Sequence, residues 1–242
     1  VKLNNITPTT SDKIVVQQCP TCIQCKLPQK AFKSRKLYRS SAPGQLIHSD
    51  FASYKVPSWE GYCYFVTFID DFSKFTAVSP MKCKTDTLNC FKLFRASFEK
   101  SGNRVIWALN SDNGGKYLSW DFSAYLSSSR IHHEPGPPHS PELNGVAERT
   151  NRTIHNVVWC ALMQASLPKF FWADVLHHTY FSYNSFPCNT PAGFLSPISI
   201  LGDSSIPPKN LHPFGCLAWY KVPEANHKKL DSKACASLLL SY

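Results

Sequence analysis

Between Gln45 and Met81 three strand-like runs follow one another: Gln45 to Ser53, Tyr62 to Asp70 and Phe75 to Met81. Only short turns join them. A helical crossover needs a dozen or more residues, so these runs can pair only as antiparallel hairpins, and the domain must open as a three-stranded meander. With side chains alternating along a strand, Leu46, His48 and Asp50 share one face of the first run. A carboxylate within a sheet strand is costly unless it is paired, protonated or bound to a cation, which singles out Asp50.

After the meander the pattern changes. Leu88, Phe91, Phe94 and Phe98 mark an amphipathic helix over Thr85 to Ser101, with Thr85 or Asp86 as N-cap and Gly102 as its stop. Val105 to Asn110 reads as a strand, Ser119 to Ser129 as a helix, and Ile131 to His133 as a very short strand. A long helix begins near Asn144, and a further one spans Leu167 to Asn184. Strands alternating with helices require parallel pairing through crossovers, so the expected fold class is α/β: a mixed five-stranded sheet, three antiparallel strands then two parallel, with helices on both faces. In such sheets function gathers at strand ends and the loops after them.

Two more acids stand at such places. Asp112 follows the fourth strand, within Ser111-Asp-Asn-Gly-Gly115, a sequence that is also ordinary turn chemistry. Glu148 stands at the head of the long helix, with 35 residues between it and Asp112. On that helix Val146, Ile154, Val157, Val158, Ala161, Leu162 and Ala165 form an apolar stripe, and Glu148, Asn151, Arg152, His155 and Trp159 fall on another face. A carboxylate followed by cationic side chains suits a metal beside a polyanion, and it equally suits an acid on the positive end of a helix dipole with solvated bases beyond. Asp70 and Asp71, in a strand-to-strand turn, fit hairpin structure better than metal ligation.

Composition narrows the partners. Lys and Arg number 26 against 16 Asp and Glu, a formal net charge of +10 that favours a polyanion. No apolar run is long enough to span a bilayer and the N-terminus lacks the apolar core of a signal peptide, so the expected setting is intracellular, without a membrane partner. Of ten cysteines only Cys19, Cys22 and Cys25 cluster, and the scattered remainder read as reduced, buried thiols. The Cys-x-x-Cys spacing of Cys19 and Cys22 lets two thiolates reach one zinc, yet no His precedes position 48, so the zinc ligand set is incomplete. A basic run, Lys26 to Arg39, leads to the Ser40-Ser-Ala-Pro-Gly44 break.

Taken together, His48-Ser-Asp50, Phe68-Ile-Asp-Asp-Phe-Ser-Lys74, Ser111-Asp-Asn-Gly-Gly115, His139 to Thr153, Leu167-Pro with Phe171-Trp172, Asn184, Thr190-Pro191, Leu211-His-Pro-Phe-Gly-Cys216 and Lys229 to Lys233 resemble the integrases of copia-type long-terminal-repeat retrotransposons. More broadly the chain is similar to retroviral integrases and other DDE polynucleotidyl transferases. The resemblance implies an RNase H-like fold in which Asp50, Asp112 and Glu148 hold two Mg2+ or Mn2+ ions. It implies a metal-dependent polynucleotidyl transferase and endonuclease: water trims the element's DNA ends, then the exposed 3′-hydroxyl attacks target DNA. It further implies DNA contacts at Asn144, Arg152 and His155, a loop shaped by Asn144 and Gly145, a homo-oligomer on DNA, and action in the nucleus, with a cytoplasmic particle beforehand. His48 would tune the site or simply pack.

The expected organisation is a truncated zinc-module remnant with a basic linker over 1–44, a catalytic core over 45–184, and a Pro-rich extension of that core over 185–242. The chain departs from its family in lacking the upstream His pair, in Lys116 where an acid is usual, and in a C-terminal segment without the usual Gly. These departures make a fragment, or a decayed or co-opted copy, the expected source. Two other readings compete: a catalytically idle DNA-binding or assembly module, and an RNase H-like nuclease on RNA hybrids.

Overall fold

A computed structural model describes residues 40–100, 104–112, 117–135, 145–203, 207–223 and 232–242. Cys19, Cys22, Cys25, the basic run to Arg39, Gly102, Lys116 and Asn144 lie outside these residues. The meander is present: β1 (Ile47–Ser53), β2 (Tyr64–Asp70) and β3 (Thr76–Met81) pair antiparallel, with Asp50 opposite Thr67. Helix α1 (Thr87–Lys100) leads to β4 (Ala108–Ser111), and α2 (Trp120–Ser128) to β5 (His132–Pro135). Both of these strands run parallel to their neighbours, giving the order β3-β2-β1-β4-β5. This is the mixed five-stranded sheet expected from the sequence, with β1 at its centre.

Burial explains why each strand alternates. Odd positions of β1 enter a layer with Phe68, Phe91, Phe94, Phe98, Tyr117 and Phe122, formed under α1 and α2. The opposite face carries the long helix α3 (Gly145–Ala165) and α4 (Trp172–Ser185), whose Ile154, Val158, Leu162, Trp172 and Leu176 pack on Phe65 and Val78. At roughly 25 cal/mol per Å2 of apolar surface, two such layers supply the main stabilising force. Helix α1 starts later than expected, after a short 3-10 turn whose Asp86 carboxylate accepts the Cys83 N–H at 3.1 Å. Likewise the helix expected from Leu167 is broken by Pro168: a 3-10 turn, Lys169–Phe171, precedes α4.

Two clamps hold the sheet's margins. Asn184, near the end of α4, takes the Thr76 N–H at 2.9 Å and donates to the Thr76 carbonyl at 2.8 Å, pairing backbone that edge strand β3 would leave open. At the β2–β3 turn, fully buried Asp70 accepts from Gly44 N, Ser73 N and Ser73 Oγ. Asp71 accepts from Ser40 N and Lys74 Nζ, and lies 3.5 Å from His48 Nε2. Burial alone pushes the Asp71 carboxyl up, but those partners together hold it well below the usual carboxylate range. The turn acids are therefore hairpin structure, and His48 is 5% exposed and packed against them.

The C-terminal part adds β6 (Cys188–Thr190) with β7 (Gly193–Leu195), the short helix α5 (Pro197–Ile200), and the hairpin β8 (Leu217–Lys221) with β9 (Ala234–Leu238). Phe214 joins the α3–α4 core and Gly215 sits against Ala165 at the end of α3. Cys63, Cys90, Cys188, Cys216 and Cys235 are half-buried free thiols. Among the described residues no helix is long and apolar enough to cross a membrane.

Candidate active site

Asp50 occupies the central strand, on the face covered by α3. Its Oδ1 accepts the Phe51 N–H at 2.8 Å, and its Oδ2 accepts from the Asn151 side-chain amide at 2.9 Å. Burial, with smaller contributions from the charges of Asp112 and Glu148, pushes its carboxyl up to about 6 against those two hydrogen bonds. The two other acids thus lie near enough to be felt at Asp50. Tyr117 reports the same convergence from below. Its buried hydroxyl, hydrogen-bonded to Ser49, is raised by burial first and then by the charges of Asp112 and Asp50.

Asp112 and Glu148 are exposed, and each borders a stretch outside the described residues. Among the described residues no three His, Cys, Asp or Glu side chains close around one point as a metal cluster would. The three carboxylates are brought to one end of the sheet rather than gathered into a closed cage. Their chemistry fits a hard divalent cation: acceptor-only oxygens, and a half-buried acid whose ionised form is opposed by two like charges.

Beneath Asp112, Ser111 Oγ lies 2.9 Å from His133 Nε2, and Asn110 Nδ2 donates to the Glu134 carbonyl at 3.3 Å. These contacts tie the β4 end that presents Asp112 to β5.

Helix α3 departs from its expected phase in one respect. Asn151 was expected on the polar face, but it is 5% exposed, on a buried row with Ala147, Ile154, Val158 and Leu162. The steps of four, three, four and four residues carry that row, and they were there to be counted once Ala147 is admitted to it. Val146 and Val157, expected in the stripe, are only half-buried. Arg152 is exposed beyond Glu148 as expected. His155 is half-buried: its Nδ1 lies 2.8 Å from Tyr54 Oη, its ring packs edge-on against Tyr54 and Phe65, and burial lowers its pKa. Tyr54 is a site-supporting residue that the sequence reading passed over, and Asn151 one that it grouped with Glu148 without assigning it the contact with Asp50.

Residues 40–141 match the family described as Integrase core domain. Over 228 residues the chain is 35% identical to a retrovirus-related Pol polyprotein from transposon TNT 1-94 of Nicotiana tabacum, covering 94% of this chain and 17% of that one. It is 32% identical over 226 residues to the corresponding polyprotein from transposon RE1 of Arabidopsis thaliana, covering 93% of this chain and 15% of that one. The chain therefore spans about a sixth of the length of these relatives. Its fold is similar to a chain of the simian T-cell lymphotropic virus intasome bound to PP2A regulatory subunit B56 gamma, at TM-score 0.59 and 19% identity over 91% of this chain and 76% of that one. It is also similar to the HTLV-2 integrase catalytic core domain in complex with magnesium, at TM-score 0.50 and 22% identity over 67% and 99%.

Proposed function

The chain carries the integrase core domain of retrotransposon Pol polyproteins, and from that membership we propose that it integrates element DNA by metal-dependent polynucleotidyl transfer, with Asp50, Asp112 and Glu148 as the metal ligands. One observation carries the reading: Asp50, on the central strand, stands in register with the β4 end that carries Asp112, since His48 pairs with Asn110, and is hydrogen-bonded to Asn151, one turn beyond Glu148 on α3. Asp71 is matched by the cation of Lys74, whereas Asp50 has, among the described residues, only neutral donors, Phe51 N and the Asn151 amide, and other acids for its charged neighbours.

Two divalent ions, Mg2+ or Mn2+, would supply activation of the attacking oxygen and neutralisation of the leaving one. The magnesium of the HTLV-2 core supports that choice. Asp50 is the fixed ligand, held from both sides by Phe51 N and Asn151 Nδ2. Glu148, at the first turn of α3, would supply carboxylate oxygens to the second ion. Arg149 and Arg152, exposed on the same helix, bind backbone phosphates and hold the DNA end along α3. Water is the nucleophile in end trimming and the 3′-hydroxyl in strand transfer, and no covalent link to the protein is needed. The partners are element ends and target DNA, and the active form is a homo-oligomer on DNA, a reading supported by the intasome likeness; its place of action is the nucleus.

The test is Mg2+- or Mn2+-dependent nicking and strand transfer on duplex oligonucleotides. Asp112→Asn and Glu148→Gln should each abolish both reactions while leaving the fold intact. Full activity in either variant would overturn the assignment. Salt-sensitive DNA binding with no turnover in either metal would instead mark an idle binding module.

A further inference from the structure

Helix α3 does more than deliver Glu148. At 100° per residue, Glu148, Arg152, His155, Trp159 and Met163 fall within about 80° of one another, a stripe alongside the buried row. Its far end is unusual. Trp159 is 64% and Met163 54% exposed, and the indole N–H is satisfied within the helix by the Met163 sulfur. An indole with its polar edge already satisfied and its ring left to solvent costs hydration and contributes nothing to the α3–α4 core.

Charge identifies what would cover it. Glu148 is the only acid in α3, against exposed Arg149 and Arg152, in a chain of net charge +10. The stripe therefore runs from the proposed reacting centre past the Arg152 cation, with Arg149 on its flank, to an apolar patch, the sequence of groups that a DNA strand meets: scissile phosphate, neighbouring phosphate, then base or sugar. The rise of 1.5 Å per residue puts Trp159 about 16 Å from Glu148 along the axis, which is about five nucleotide steps of 3.4 Å.

We propose that Trp159, with Met163 beside it, is a DNA-contacting residue, making an apolar contact to the base or deoxyribose about five nucleotides inward from the phosphate at Glu148. The proposal rests on the integrase reading for its register, and on the exposed ring and its basic neighbours for the contact itself. It adds a sequence-tolerant grip to the phosphate contacts, independent of charge and so persistent at high salt.

The test uses the full chain carrying Glu148→Gln, so that no cleavage intervenes, and a labelled blunt duplex of mixed sequence. Binding is followed by anisotropy across a salt series. Trp159→Ala should weaken binding about tenfold with the slope of affinity against salt unchanged, and Trp159→Phe should retain most of it. Arg152→Ala should instead lower the slope by about one. With 5-iodouracil at successive positions, photocrosslinking to the peptide holding Trp159 should peak about five nucleotides from the end. Undiminished binding by Trp159→Ala, a loss accompanied by a changed salt slope, or a loss of self-association in sedimentation without any crosslink would each overturn the proposal, the last marking this face as a subunit contact.

The two readings fail separately. A chain that cuts DNA yet is indifferent to Trp159→Ala loses only this inference. One that binds and crosslinks at Trp159 without turnover loses only catalysis, and one that neither cuts nor binds duplex loses both.

Discussion

The side-chain amide of Asn151 donates to Oδ2 of Asp50 at 2.9 Å, joining the second turn of the long helix to the central strand. The other end of the same amide, Oδ1, is buried without a hydrogen-bond partner among the described residues. The donor fixes a carboxylate, while the orphaned acceptor is a standing cost of about 1–3 kcal/mol. Asn151→Leu removes both and should leave stability within about 1 kcal/mol of wild type. Activity should fall about ten- to a hundredfold, with half-saturation moved to higher Mg2+, because a ligand loses its orientation. A Mg2+ titration of strand transfer, run beside a thermal melt, checks both halves.

Asp50 itself sets a pH dependence. Its folded pKa, about 6, stands above the ordinary carboxyl value of 3.8, so between those limits the folded state holds the proton more tightly. The contribution of Asp50 to stability is therefore full below about pH 4 and is lost as pH rises through about 6. Without divalent ions, Asp50→Asn should be the more stable protein at pH 7.5, by about 1–2 kcal/mol, and inactive. Mg2+ should raise the melting temperature of the wild type at pH 7.5 more than at pH 5, and not that of the variant. Equal melting curves for the two proteins across this range would refute the account.

Asp70 and Asp71 predict the opposite behaviour. Asp70→Ala leaves Gly44 N, Ser73 N and Ser73 Oγ without their acceptor inside the protein, and should cost about 3 kcal/mol or more. The protein that remains folded should keep the wild-type response to Mg2+. Calorimetry with and without Mg2+ distinguishes a hairpin clamp from a metal ligand.

At Gly215 the backbone is left-handed, φ +73°, and an added Cβ would stand 2.4 Å from Cβ of Ala165. Gly215→Ala should destabilise by about 2–4 kcal/mol, since strain and collision add. Gly193→Ala, at φ +114° with open space around it, incurs only the backbone strain and should cost less. Denaturant melts of the two variants test whether the C-terminal extension is seated on the end of α3.

Much of this could be read before any coordinates. Short turns after β1 and β2 left antiparallel pairing as the only choice, and the Phe91, Phe94 and Phe98 spacing placed α1 on the sheet. What escaped was the phase of α3. A stripe drawn through Val146 and Val157 leaves out Ala147, which shifts its phase and sets the buried Asn151 among the polar side chains. Tyr54 escaped because it lies just past the end of β1 and its partner, His155, is a hundred residues away. Asn184 and the Asp70–Asp71 pair stood in the motifs that carried the family resemblance, yet their contacts here are structural: edge-strand and turn backbone leave hydrogen-bonding groups that a side chain must meet.

Strand β1 is locked between β2 and β4, with Ile47 and Ser49 fully buried on one side and Asp50 on the other. Slipping that pairing by one residue would drive Asp50 in among Phe68, Phe91 and Phe94, and turn Ile47 toward α3. A molecule assembled out of step would thus forfeit its core and its proposed metal ligand in a single error, so only correctly registered chains would be both stable and fit for the function proposed above.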